Sequence, residues 1–180
     1  MTTSRVNLPT LLTLSRIVLI PFFVLSVYQY PVLGALIFSI ASLTDFLDGY
    51  LARRSGQITK FGIIMDPLAD KFLVISALIV LVDMTRLSAL IAILLIVREF
   101  LVTGLRVVAL SKDIVIPAEM GGKLKITAQI TSILCLILVG TIFDNLPIDL
   151  YDIGILFVWI ALVLSLISGI QYTVSFWKKI

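Results

Sequence analysis

The chain has 180 residues, 60% of them hydrophobic and only 14% charged, with 14 Lys and Arg against 11 Asp and Glu for a net charge of +3. A soluble domain of this size carries nearly twice that share of charge, so the composition argues against a water-soluble fold and for a polytopic membrane protein. There is no histidine, which removes imidazole metal ligands and a histidine base and leaves Asp, Glu, Lys and Tyr for proton transfer.

Residues 17–44 and 153–177 carry no charge, and either run is long enough for a bilayer span of about 20 apolar residues. Taken in order, the apolar pattern predicts six helical spans, at about 10–28, 31–53, 61–82, 87–110, 121–143 and 151–176. The expected fold class is an all-α membrane bundle forming one domain over 1–180. Residues 1–9 form a leader suited to the interface. Arg5 before an apolar run is faintly signal-like, but Arg16 interrupts the run and no small-residue cleavage site follows, so the first helix is expected to be retained. Pro21 lies inside span 1 as a potential kink. Cys135 is the only cysteine; it cannot form an intrachain disulfide and reads as a small buried filler.

Orientation follows from Lys and Arg in the short connections. Arg5, Arg53, Arg54, Lys60, Lys112, Lys178 and Lys179 gather on one side, and the opposite side has only Arg86. Both termini are therefore expected in the cytoplasm. The intramembrane charges also fall in the cytoplasmic half: Arg16 in span 1, Asp45 and Asp48 in span 2, Asp66, Asp70 and Lys71 in span 3. Arg98, Glu99 and Arg106 follow in span 4, and Lys123 and Lys125 in span 5. Spans 3 and 4 keep only 11 uncharged residues each, 72–82 and 87–97, roughly half the bilayer core at about 1.5 Å per residue. Such a bundle has a polar, water-accessible cytoplasmic half under a dry outer half. Charges at this depth are costly and mark function.

The densest group is Asp45, Asp48, Asp66 and Asp70, four carboxylates within 26 residues. Asp45, Asp48, Gly49 and Ala52 share one helical face, and Gly62, Asp66 and Asp70 share a face of the next helix. As interhelical glue, the carboxylates would pair with Arg16, Arg53 and Lys71. That reading does not require the matching small residues; a divalent metal site does. Four anions in a low-dielectric site demand cations or protons. Oxygen-only ligands favour Mg²⁺, then Mn²⁺ or Ca²⁺. Two ions bridged by carboxylates suit phosphoryl transfer. Gly49 and Ala52 permit close approach of a nucleotide or phosphate, and Arg53 can form a bidentate pair with a phosphate.

A second cluster, Arg98, Arg106, Lys123 and Lys125 with Glu99, suggests a small anionic second substrate. Snorkelling to headgroups explains Lys125 about as well, but suits the deeper Arg98 poorly. Glu99 reads as orienting one of these cations. Asn7, Thr10, Thr13 and Arg16 form a polar strip at the start of span 1, serving either as helix cap or as substrate contact.

The pattern Asp45-x-x-Asp48-Gly49-x-x-Ala52-Arg53, eight residues, Gly62-x-x-x-Asp66-x-x-x-Asp70 resembles the signature of the CDP-alcohol phosphatidyltransferases at every defined position. Further stretches are similar to the branch of that family that uses glycerol 3-phosphate: Asn7-Leu8-Pro9-Thr10 with Thr13 and Arg16, residues 66–71, residues 97–100 and residues 122–127. The resemblance implies phosphatidyl transfer from CDP-diacylglycerol to glycerol 3-phosphate, with release of CMP, in phospholipid biosynthesis. It implies two Mg²⁺ (or Mn²⁺) ions, one on Asp45, Asp48 and Asp66 and one on Asp45, Asp66 and Asp70, with Asp70 as general base. It places Asn7, Thr10, Gly49, Ala52, Arg53 and Thr59 at CDP-diacylglycerol. Arg98, Arg106, Lys123, Lys125 and Arg16 are assigned to the acceptor phosphate, mainly on charge and depth. The implied partners are these two substrates, membrane lipids and a second copy of the chain; no nucleic acid is expected.

Two rivals differ in kind. Another acceptor, such as an inositol phosphate, serine or a second phosphatidylglycerol, keeps the chemistry; the dense cations favour a phosphorylated one. An ion-coupled transporter predicts internal repeats and a midplane site, and neither is visible.

Overall fold

The computed structural model describes residues 8–55, 60–111, 120–141, 143, 147 and 149–178, with side chains described for 17–44, 71–109, 124–141, 143, 147 and 149–178. The described residues form six helices and no strand: α1 (Leu8–Gln29), α2 (Pro31–Ser55), α3 (Lys60–Asp83), α4 (Ala89–Ser111), α5 (Met120–Leu138) and α6 (Leu150–Trp177). They divide into two compact units, Met1–Val80 and Leu81–Ile180.

In the first unit α1 and α2 form an antiparallel hairpin joined by Tyr30 alone. Tyr30 N–H donates to Ser26 C=O and Gly34 N–H to Tyr30 C=O. Pro31 opens α2, where its missing N–H costs nothing and its fixed φ suits the first turn. The two helices come closest at Gly34, where an added Cβ would lie 2.7 Å from Val27 Cβ. One turn further along, Phe23 and Phe38, both fully buried, meet with ring centroids 5.8 Å apart. α1 runs through Pro21. Ser39 and Thr44 in α2 donate back to the carbonyls of Ala35 and Ala41, so hydroxyls in an apolar helix are satisfied locally.

The second unit begins at the end of α3. Arg86 N–H donates to Leu81 C=O and Thr85 N–H to Val82 C=O, the paired bonds that close a helix through a left-handed residue. That residue is Thr85, at φ 58°. Arg86 reaches across to α5, where its Nη1 donates to the carbonyls of Leu136 and Ile137 at 3.0 and 2.9 Å. Thr141 Oγ1 takes care of Leu138 C=O. Three of the carbonyls left open at the end of α5 are thereby satisfied, and a cation sits at the negative end of the helix. α5 consequently stops at Leu138, short of the expected 143, because Gly140 turns left-handed at φ 75° and Thr141 caps the last turn. α6 is capped by Asp149, whose carboxylate accepts from the N–H groups of Tyr151 and Asp152. α5 and α6 approach closely at Gly154, where a Cβ would be 2.7 Å from the Leu136 side chain.

The described region has an apolar core, yet its outer surface is also largely apolar. Lys125, Gln129, Ser132 and Ser165 are buried, and Leu25, Leu90, Leu101, Ile170 and Trp177 stand outward. Among the described residues, α6 alone is long and apolar enough to cross a membrane by itself; shorter apolar stretches are Ile17–Gln29, Pro31–Thr44 and Leu124–Leu138.

Candidate active site

The signature residues fall on two consecutive helices. Asp45, Asp48, Gly49, Ala52 and Arg53 belong to the last three turns of α2, and Gly62, Asp66 and Asp70 to the first three of α3. The i, i+3 and i, i+4 spacings are thus realised on helical backbone, which puts each acidic set on one face. Pro67 lies inside α3, directly after Asp66. The side chains of these residues, and of Thr10, Arg16 and Lys123, are outside the described set; Asn7 and Thr59 lie wholly outside the described residues. Among the described residues no three acidic or cysteine side chains converge. The donor set itself suits a hard divalent cation: four carboxylates on regular helix, with no nitrogen or sulfur ligand.

The cationic group is described in full for Arg98, Arg106 and Lys125, all in the second unit. Arg98 is largely buried and committed on three sides. Its Nε donates to Ser165 C=O at 2.7 Å, Nη2 to Ser168 Oγ, and Nη1 to Glu99 Oε1 at 3.2 Å. Lys125 Nζ pairs with the same Glu99 oxygen. Arg106, two turns beyond Arg98, lies over the Tyr172 ring with its guanidinium carbon 5.9 Å from the centroid. Arg98, Val102 and Arg106 therefore mark the side of α4 that faces α6. Gly169 leaves the room: a Cβ there would sit 3.2 Å from Arg98 Nε.

The α6 partners were not singled out by sequence reasoning. Their signal is present as Ser165-x-x-Ser168-Gly169-x-x-Tyr172, polar and small residues at helical spacing in an otherwise apolar span. Two buried polar atoms, Gln129 Nε2 on α5 and Ser165 Oγ on α6, have no hydrogen-bond partner among the described residues.

Comparison with known proteins places these helices. Residues 6–167 match the family model for CDP-alcohol phosphatidyltransferase. The chain belongs to the CDP-alcohol phosphatidyltransferase family. It is 39% identical over 192 residues to the CDP-diacylglycerol–glycerol-3-phosphate 3-phosphatidyltransferase of Bacillus subtilis, covering 97% of each chain. Proteins of the same name from Rickettsia bellii and Salmonella typhimurium are 38% and 40% identical, with 92–93% of each chain covered. The matched stretch contains all eight signature positions on α2 and α3.

Proposed function

We propose that this protein transfers the phosphatidyl group of CDP-diacylglycerol to glycerol 3-phosphate, forming phosphatidylglycerophosphate and CMP. The observation that carries the reading is the complete eight-residue signature on α2 and α3, in a chain that aligns end to end with relatives of that name.

Asp70 takes the proton of the attacking glycerol hydroxyl. That oxygen bonds to the lipid-linked β-phosphorus, the bond from this phosphorus to the oxygen bridging the two phosphates breaks, and CMP leaves. Asp45, Asp48 and Asp66 would hold one divalent ion, and Asp45, Asp66 and Asp70 a second. Such ions, when bound, offset negative charge on the phosphoryl oxygens and on the attacking and leaving oxygens. Gly49 and Ala52 leave room for the diphosphate, and Arg53 pairs with it. Asn7, Thr10 and Thr59 contact the nucleotide end. Arg98, Arg106, Lys123, Lys125 and Arg16 receive the acceptor phosphate.

The chain acts as one phosphatidyltransferase domain over 1–180, as a homodimer. It crosses the plasma membrane six times with both termini and the site on the cytoplasmic side. Soluble substrates then enter from the cytoplasm and the acyl chains stay in lipid. The many outward-facing apolar residues, among them Leu25, Leu90, Leu101, Ile170 and Trp177, support this placement.

The test is an acceptor screen with purified protein, CDP-diacylglycerol and Mg²⁺, reading CMP. Release with glycerol 3-phosphate, and not with inositol phosphate, serine or phosphatidylglycerol, is expected. Release with one of those instead would overturn the acceptor assignment, and release with none would overturn the reaction.

A further inference from the structure

The seam between α4, α5 and α6 holds one acid among its bases. A carboxylate is the wrong charge to meet a phosphate, so Glu99 requires a different explanation. Its Oε1 takes both Arg98 Nη1 and Lys125 Nζ. Arg98 is in turn anchored to α6 by Ser165 C=O and Ser168 Oγ. The order is α6, Arg98, Glu99, Lys125, α5: a chain of charges running from the α6 backbone to a buried ammonium on α5. Arg98 is the fixed end, because a planar guanidinium held at three nitrogens has no rotational freedom left. Lys125 is the adjustable end, a point charge on four methylenes, only 5% exposed. A cation at that depth is costly unless a counter-charge lies beside it, and Glu99 supplies one.

We propose that Glu99 is a positioning residue for the acceptor phosphate. It holds the Lys125 ammonium in place on α5, and acts through Lys125, not on the substrate. The proposal rests on the reading above that Lys125 receives the acceptor phosphate. It makes the Arg98–Glu99 pair a device for setting acceptor affinity, with α6 as its anchor. A purely structural ion pair predicts something different: loss of stability with the two Michaelis constants unmoved.

The test is steady-state CMP release by the full-length purified enzyme, varying each substrate against saturating amounts of the other. Glu99→Gln is expected to raise the apparent KM for glycerol 3-phosphate about tenfold, leaving kcat and the KM for CDP-diacylglycerol within about twofold. Glu99→Asp, which keeps the charge, is expected to recover part of that loss. Lys125→Ala should raise the same KM, and the double variant Glu99→Gln/Lys125→Ala should be no worse than Lys125→Ala alone, because Glu99 acts through Lys125. Multiplying effects in the double variant, or a fall in kcat with both KM values unchanged, would overturn the proposal. If Glu99→Gln yields no folded protein, Glu99→Ala carries the test, and an unchanged acceptor KM there overturns it too. Failure of the wild type to use glycerol 3-phosphate is a separate outcome, which removes the functional reading and this inference with it.

Discussion

The α1–α2 hairpin and the α4–α5–α6 group are both helix packings, held by opposite chemistries. The hairpin seam is apolar: Val27 against Gly34, Phe23 against Phe38. In the second group the contacts of α4 with α5 and α6 are polar, with Arg98 on the Ser165 carbonyl and Ser168, Glu99 on Lys125, and Arg106 over Tyr172, while α5 and α6 themselves meet at Gly154 on Leu136. In lipid, an apolar seam gains little from the hydrophobic effect, since the acyl chains are as apolar as leucine, and depends on close packing. A polar seam gains because its groups have few alternative partners outside it. The two seams should therefore break differently.

The largest effect is expected in the polar seam. Arg98→Met removes three charge-assisted hydrogen bonds but leaves Glu99 with Lys125, so the loss should be about 3 kcal/mol, the low end for breaking a buried pair. Thermal unfolding in detergent measures it. Phe38→Ala should cost about 2 kcal/mol, below the value common in soluble cores, because only the cavity contribution remains in lipid. If Phe38→Ala proves the more damaging, the contrast between the seams is wrong. Ser165→Ala should change stability by under about 1 kcal/mol, with a gain favoured. It deletes a buried hydroxyl without a described partner and keeps the carbonyl that Arg98 uses. A large loss there would mean that Ser165 Oγ is engaged by a ligand or water.

The same contrast explains what the sequence could and could not reveal. The apolar runs and the turns and charges between them delimit the helices to within a few residues, the end of α5 excepted. The end of α5 was misplaced by five residues. Hydropathy continues through Val139 and Phe143, and the stop is set by the conformation of Gly140 and the cap from Thr141. Arg86 was legible only as the one cation against the orientation rule. Its place on the carbonyls of Leu136 and Ile137 depends on a contact fifty residues away in sequence. For the site, the aspartate pattern is readable because helical spacing alone puts its members on shared faces. The cation cluster was readable as charge at depth, but its partners on α6 were not. Ser165, Ser168 and Gly169 look like ordinary small residues of a membrane helix until α4 is packed against them.

The central claim is that the α2–α3 aspartates carry out phosphatidyl transfer to glycerol 3-phosphate. Its most direct test is incorporation of labelled glycerol 3-phosphate into lipid by the wild type and by Asp70→Asn, with CDP-diacylglycerol and Mg²⁺ present. The expected result is robust labelling by the wild type and a rate about 10²–10⁴-fold lower in the variant, at unchanged thermal stability. Near-native labelling by Asp70→Asn would contradict the account.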